Sequence, residues 1–403
     1  MADHAVSCVL KLYSTLNFCP PDGQFTILAA FILSDGDEHK VISLATGTKC
    51  LPDIKIPHTG DALHDSHAEV LARRGAVRWF LEEAIRMYKG TESKWIVRSE
   101  GGVFKLKDEV VVRFYVSTLP CGDASTRYLA LAQDEAMATL KDSSERPSMD
   151  SNAAARGRDN YSLYGVLRTK PGRADSPPST AMSCSDKIAR WNVLGFQGAL
   201  ASRLFNPLYI SEIIIGDVPN ELQAAVRADC NRAFWGRLED IQDVVPPFRL
   251  SRPAVFFTPI SFVHASRPDS KGSCNESICW SSDTASGCEV LINGLKRGVA
   301  PKHRHREKSR PVLSKLALFV LYEQTLLSGN IDADSEEATY FDVKMAIVNY
   351  QATKERLQGE AGPFRGWLRT GREWESFSRG EQVKAAHRGV QGSDSCIKFR
   401  TTV

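Results

Sequence analysis

Three short motifs bring together groups able to do hydrolytic chemistry: His67-Ala68-Glu69, Pro120-Cys121-Gly122 and Ser183-Cys184-Ser185-Asp186-Lys187. One imidazole and two thiolates, from His67, Cys121 and Cys184, would fill three positions of a tetrahedral Zn²⁺ site and leave the fourth open to water, whose pKa such a metal lowers toward neutrality. Glu69 is then the unligated carboxylate that moves protons. Alone, a histidine at a helix start is an ordinary polar residue and a buried cysteine is ordinary packing. The three motifs in this order favour the metal site.

The zinc-deaminase signature, H-x-E followed by P-C-x-x-C, is met only in part, because Ala124 stands three residues after Cys121. The second thiolate must come from elsewhere. Cys184 is the best candidate, since it stands, like Cys121, just before an apparent helix, and helix N-termini favour thiolates.

The elements that must position these groups can be read from periodicity. Residues 25–33 and 41–44 read as a strand pair around the turn Ser34-Asp35-Gly36-Asp37. From Ala68 onward Val70, Val77, Leu81, Ala84 and Tyr88 recur at helical spacing, with Asp65 or Ser66 available as N-cap. Residues 109–116 read as a strand leading to Cys121, which begins a second helix. The third motif repeats this, with a helix over 187–204 and a buried strand over 208–216. Strands alternating with helices, and ligands at helix starts, indicate an α/β layer architecture with a mixed sheet, elaborated by C-terminal helices.

Composition sets the class. With 403 residues, 42% hydrophobic and 25% charged, the chain can build a large core near the globular average. No run of 18 or more apolar residues reads as a membrane span, and no signal peptide is evident at the start. Ten cysteines without dense regular spacing fit a reducing compartment, the cytoplasm or nucleus. We expect one elaborated domain over 1–403, with polar loops or insertions near 141–160 and 170–180. The net charge is only +3, yet the stretch 296–310 gathers Lys296, Arg297, Lys302, Arg304 and Arg306 with two more cations and one acid. Such a segment suits phosphate contacts; its alternative is a solvated loop.

Five ordered blocks resemble the adenosine deaminases acting on RNA, and within them the tRNA-specific branch: 45–50, 65–74, 117–124, 183–198 and 340–354. The resemblance runs over about 44–367. It implies a cytidine-deaminase-like fold, one catalytic zinc on His67, Cys121 and Cys184, and Glu69 as the proton carrier in converting adenosine to inosine. Asp65 and Lys187 match positions beside the metal, where a carboxylate orients a ligand imidazole. The ordinary reading of that pair is a helix cap and salt bridge.

The same resemblance implies a buried inositol hexakisphosphate. Arg73, Arg74, Lys187, Arg190, Lys315, Tyr340, Lys344, Tyr350, Lys354 and Trp367 match positions around it. At about 100° per residue, Lys344, Tyr350 and Lys354 lie at about +40°, −80° and −40° from Tyr340, so one helix over 340–354 would carry all four within roughly 120°. Periodicity alone would put that face in solvent; burial of so many cations demands an anion. His64, Ala181 and Ala199 stand where an editing relative has Asn, Thr and Ser, and Arg369 replaces an acid.

The implied partner is tRNA, in particular tRNA-Ala, at the adenosine just 3′ of the anticodon. The catalytic blocks begin near the N-terminus, without space for a double-stranded-RNA-binding module. The segment Leu167-Arg168-Thr169-Lys170-Pro171-Gly172-Arg173 resembles the short tRNA-specific form, and Ser125 stands where duplex editors have Arg. Candidate RNA contacts are Thr48, Lys49, Arg168, Lys170, Arg173 and the cations of 296–306. A duplex-RNA editor shares this chemistry, and a non-catalytic RNA-binding protein would have lost Glu69 or a ligand. Nothing in the sequence calls for an obligate protein partner.

Overall fold

The computed structural model describes residues 2–131, 154–157, 163–171, 177, 179–285, 287–304, 306–335 and 337–379. Its centre is a mixed sheet of eight strands: β1 (Leu28–Asp35), β2 (Glu38–Thr46), β3 (Val111–Val116), β4 (Glu212–Ile215), β5 (Ala254–Phe257), β6 (Glu276–Ser281), β7 (Glu289–Ile292) and β8 (Leu295–Lys296). The order across the sheet is β5-β4-β3-β1-β2-β6-β7-β8. The pairs β5–β4 and β4–β3 are parallel, and every other neighbour is antiparallel.

Alternation along the strands assigns the two faces. Ala29, Phe31 and Leu33 of β1 join Val112, Phe114 and Val116 of β3 in the core under helix α2 (Ala68–Tyr88). Leu28, Ala30 and Ile32 point the other way, with Tyr115, onto helix α1 (Ala2–Thr15) through Ala5, Val6, Val9 and Tyr13. Period-two alternation on a sheet buried from both sides requires a helix on each face. The α/β layer architecture with a mixed sheet read from the sequence is therefore present, as α/β/α layers. Gly75 allows α2 to lie close on the sheet, because a Cβ there would sit 2.9 Å from Ser43 Cβ.

Several element boundaries differ from the sequence reading, for identifiable reasons. Residues 65–67 are not a capping turn: Asp65–His67 is a short strand paired antiparallel with Thr48–Cys50, and His67 itself takes the N-cap position of α2. After Cys121 a 3₁₀ turn at Asp123–Ser125 precedes the helix Thr126–Leu131. The helix expected over 187–204 is divided, since α3 (Cys184–Leu194) stops at Gly195, whose φ of 70° lies outside the helical region, and only a turn at Gly198–Ala201 follows.

The strand expected at 25–33 begins at Leu28, because Gln24–Phe25 pairs instead with Gly272–Ser273. Helix α4 (Gln223–Phe234) packs beside α3, and α5 (Lys315–Ser328) beside α2. The 340–354 stretch is two helices, α6 (Tyr340–Met345) and α7 (Val348–Gln358), separated at Ala346-Ile347. The single-helix angles therefore do not apply, and tertiary packing places the four side chains. Of the polar stretches at 141–160 and 170–180, most residues lie outside the described ones. Among the described residues no helix is long and apolar enough to cross a membrane.

Candidate active site

The site is assembled by three chain segments that the sheet brings to one edge of α2. The pairing of Asp65–His67 with Thr48–Cys50 sets His67 opposite Thr48. It needs Gly47, where φ is +149° and a Cβ would meet Ser66 O at 1.9 Å. β3 delivers Cys121 through Ser117 to Pro120. α3 delivers Cys184 in its first turn, with Ser183 as N-cap: Ser183 Oγ accepts from the Asp186 N–H and donates to Asp186 Oδ2 at 2.6 Å.

The two cysteines meet directly, the Cys184 N–H donating to Cys121 Sγ at 3.4 Å and the Ser185 N–H to the Cys121 carbonyl at 3.0 Å. On His67 the ring Nδ1 lies 2.8 Å from Asp65 Oδ1. The remaining Asp65 oxygen accepts from Lys170 Nζ at 2.7 Å and from Lys187 Nζ. Lys170 Nζ also donates to Cys184 Sγ at 3.2 Å.

These contacts set the protonation of each group. Burial would raise the Asp65 pKa, but Lys170 and Lys187 hold its carboxyl well below the ordinary range. Burial likewise disfavours a charged His67, yet Asp65 and Cys121 outweigh it and raise the imidazole to about 9. The hydrogen bond from Cys184 holds the Cys121 thiol well below its usual value, with Lys170 assisting against burial. Burial and the Cys121 sulfur push the Cys184 thiol well above its usual value.

Glu69, in the first turn of α2, is raised by burial and by Cys121. Its Oε2 is buried without a hydrogen-bond partner. A buried unpaired carboxylate oxygen is costly unless a ligand or water uses it.

As they stand, no three His, Cys, Asp or Glu side chains among the described residues form a metal-holding group. The donors nonetheless fit zinc chemically. An imidazole that is held through Nδ1 by a carboxylate and gives up its proton when it ligates a metal, and an acidified thiol beside a second sulfur, are the ligand types and outer support of a catalytic zinc.

Behind Asp65 lies a cavity of about 540 Å³, walled by α3, α6, α7 and the 367–375 segment. Lys187, Arg190, Lys344, Lys354 and Trp367 line it, and so does Asp65. Arg190 lies 5.3 Å over the Trp367 ring and donates to the Tyr350 hydroxyl at 3.2 Å. Lys315 and Lys344 stack on Tyr340 and share the buried Glu375 carboxylate. Arg73 and Arg74 stand behind on α2, each donating Nε to a backbone carbonyl, of Phe196 and Leu313.

The cations in this cavity exceed its anions. Burial, with Arg190 and Lys344, pulls Lys354 down to about 7; burial and Lys344 pull Lys315 down to about 8. His64, on the cavity wall, is lowered to about 3 by burial and by Lys315, Arg74 and Lys187. Gln358, 3% exposed, has neither side-chain amide atom paired, and His64 Nε2 is unpaired too. Excess positive charge with orphaned polar atoms fits a polyanion.

The RNA-contact expectations divide. Arg168 and Lys170 are corrected, because both are 2% exposed: Arg168 Nη2 donates to Leu163 O and its backbone to Asp186, while Lys170 belongs to the Asp65 cluster. A charge committed inside the protein is not offered to a phosphate outside. Arg173 lies outside the described residues. Thr48 and Lys49 are half-buried, with Lys49 Nζ on Ser273 Oγ at 2.9 Å. Lys296 pairs with Glu289 at 2.6 Å and Arg297 with Glu276 at 2.9 Å, whereas Lys302, Arg304 and Arg306 are exposed. Sequence reasoning missed Glu375 and Gln358 altogether; no local pattern marks either.

A buried carboxylate with an unpaired oxygen, beside a His/Cys/Cys donor set, is the arrangement that a hydrolytic deaminase of nucleobases calls for. Residues 43–371 match the adenosine-deaminase (editase) domain, and the chain belongs to that family. It is 30% identical over 352 residues to the tRNA-specific adenosine deaminase 1 of Schizosaccharomyces pombe, covering 83% of this chain and 85% of that one. To the Drosophila melanogaster protein of the same name it is 31% identical, covering 82% and 85%. To the double-stranded RNA-specific editase Adar of Drosophila melanogaster it is 30% identical, over 56% of this chain and 34% of that one.

Asp65→Asn removes the shared partner of one imidazole and two ammonium groups. Denaturant melts should show a loss of about 3–5 kcal/mol, as for a broken buried ion pair. A competition titration should show divalent-metal affinity reduced about 10- to 100-fold. Unchanged metal affinity would show that Asp65 does not orient His67.

Proposed function

We propose that this chain hydrolytically deaminates adenosine to inosine in tRNA, at the adenosine immediately 3′ of the anticodon (position 37) of tRNA-Ala. The observation that carries the chemistry is Glu69, buried, with raised pKa and an unpaired oxygen, beside His67, Cys121 and Cys184. Support for tRNA comes from the relatives named for it, which are matched over more than four-fifths of both chains, whereas the duplex-RNA editase is matched over a third of its length. Editing of double-stranded RNA is the second reading, favoured by that same relative. An unpaired anticodon-loop base is also the cheapest to take out of a stack.

His67, Cys121 and Cys184 would hold one zinc ion, which when bound supplies Lewis-acid activation of water. Glu69 Oε2 accepts the proton of the attacking water as the oxygen bonds C6 of adenine. The resulting carboxylic acid protonates N1. Glu69 then carries the second proton, taken from the new C6 hydroxyl, to the exocyclic amine; the C6–N bond breaks, the C6 carbonyl forms, and ammonia leaves inosine behind. A raised pKa suits this role, because Glu69 must be both base and acid near neutral pH. Asp65 fixes His67, and burial of the site excludes bulk water.

Glu69→Ala should abolish inosine formation in purified tRNA-Ala, read by mass spectrometry of nuclease digests, without unfolding the protein. Inosine formed by the variant would remove Glu69 from the mechanism. Inosine made only in long duplex RNA by the unaltered protein would favour the second reading.

The basic cavity would take inositol hexakisphosphate. Lys315 and Lys354 have folded pKa values below that of free lysine, so at pH 8 both are partly neutral without an anion. A polyanion restores their charge. Binding should therefore take up protons at pH 8, and affinity should fall as pH rises from about 7 to 9, read by calorimetry in buffers of different ionisation enthalpy. Binding without proton uptake would sink this assignment.

The exposed Lys302, Arg304 and Arg306 would contact phosphates of the tRNA. Their triple replacement by Gln should weaken binding and reduce the slope of log K against log salt by about 2–3. An unaltered slope would leave the segment a solvated loop.

A further inference from the structure

A feature outside the catalytic cluster and the basic cavity lies on the surface close to Cys121. Tyr164 and Phe256 are the exposed Phe, Tyr or Trp side chains among the described residues, and Tyr164 is 45% exposed beside Leu163 at 40%. Two guanidinium groups stack on the Tyr164 ring, Arg232 at 4.8 Å and Arg127 at 5.5 Å from its centroid. Phe256 carries no such pair.

The charges are layered. Arg127 pairs with Asp229 at 3.0 Å, and Arg232 pairs with Asp229 at 2.5 Å and Asp123 at 3.1 Å. Both acids are buried, at 2% and 0% exposure, while Arg127 remains 48% exposed. The outward surface is thus cationic and aromatic, with its carboxylates beneath.

The surface is also fixed relative to the site. The Gly165 N–H donates to Asp123 Oδ1 at 2.8 Å, two residues after Cys121. Arg168, whose backbone N–H is held by Asp186, donates to the Leu163 carbonyl at 2.9 Å. Tyr164 is therefore tied to both the Cys121 turn and the first turn of α3, which carries Cys184.

We infer that Tyr164, with Arg127 and Arg232, is a stacking shelf for a base flanking the target adenosine in the RNA substrate. Aromatic rings and guanidinium planes are the surfaces on which unpaired bases stack, and an exposed guanidinium adds a phosphate contact. Lifting one base out of a loop leaves its neighbours without a stacking partner, and this shelf supplies one. The inference rests on the RNA-deaminase reading above. It concerns positioning, not proton transfer.

The test uses the full chain carrying Glu69→Ala, with tRNA-Ala transcript binding read by fluorescence anisotropy, and Tyr164→Leu and Tyr164→Trp added singly. Leu should raise Kd about ten-fold and Trp should stay within about two-fold of the parent, with thermal melting unchanged for Trp. In active protein, Tyr164→Leu should raise KM with kcat retained. Arg127→Gln, at a surface position, should weaken binding several-fold and lower the salt slope by about one.

Leu binding as tightly as the parent overturns the shelf, as does a loss that Trp fails to restore. Should Leu fail to fold, an Arg127→Gln protein with unaltered affinity and salt slope overturns it equally. Failure of the RNA reading looks different: the Glu69→Ala parent itself then shows no tRNA binding, and the shelf falls with it.

Discussion

The Asp65 carboxylate is the constraint on which the rest of the site depends. One buried group is shared by the His67 imidazole on one oxygen and the Lys170 and Lys187 ammonium groups on the other. A lone carboxylate there would be protonated, and lone ammonium groups would be deprotonated or excluded. Together they hold charge in the interior. Lys170 passes the constraint on to Cys184, and Lys187 passes it to the basic cavity. The cysteine pair and the cavity are thereby two sides of one ion cluster.

This arrangement explains why the chain spends three separate segments on so small a volume. The strand pair around Gly47 presents His67, β3 presents Cys121, and the Ser183 cap presents Cys184. None of these is a long element. Each is a junction where a strand or loop enters a helix, and such junctions leave backbone N–H groups free to meet sulfur or carboxylate. The Cys184 N–H on Cys121 Sγ is one such contact. The large apolar core under α2 serves to keep three junctions in register.

Much of this was legible in the sequence, and the division between legible and illegible has a physical basis. Groups bound by local rules were found: the His-x-Glu at the start of α2, the cysteines before helices, and the two-sided alternation of β1. What failed were inferences that assumed continuity or exposure. A single helix over 340–354 was read from angles alone, but the chain breaks at Ala346-Ile347 and tertiary packing brings Lys344 and Lys354 to the same cavity. Lys170 in a polar, proline-containing segment reads as a surface cation, yet its partner Asp65 lies 105 residues away in sequence. Glu375 is illegible for the same reason, since its lysines come from two distant helices. Ion-pair partners separated by such distances leave no periodic trace.

The balance of charge in the cavity carries the argument one step further. Lys187, Arg190, Lys315, Lys344, Lys354 and Arg369 face or adjoin it, against Asp65, Glu355 and Glu375. Asp65 is already shared with Lys170 and His67, and Glu355 is occupied by Arg369 at 2.9 Å. Glu375 alone serves Lys315 and Lys344. Burial first, and then the neighbouring cations, hold Lys315 and Lys354 below the ordinary lysine range, so an unpaired ammonium there tends to give up its proton. An anion in the cavity would return those protons and strengthen the field on Lys187, and Lys187 would in turn bind Asp65 less exclusively. The cavity and the His67 imidazole are thereby coupled through a single carboxylate, that of Asp65.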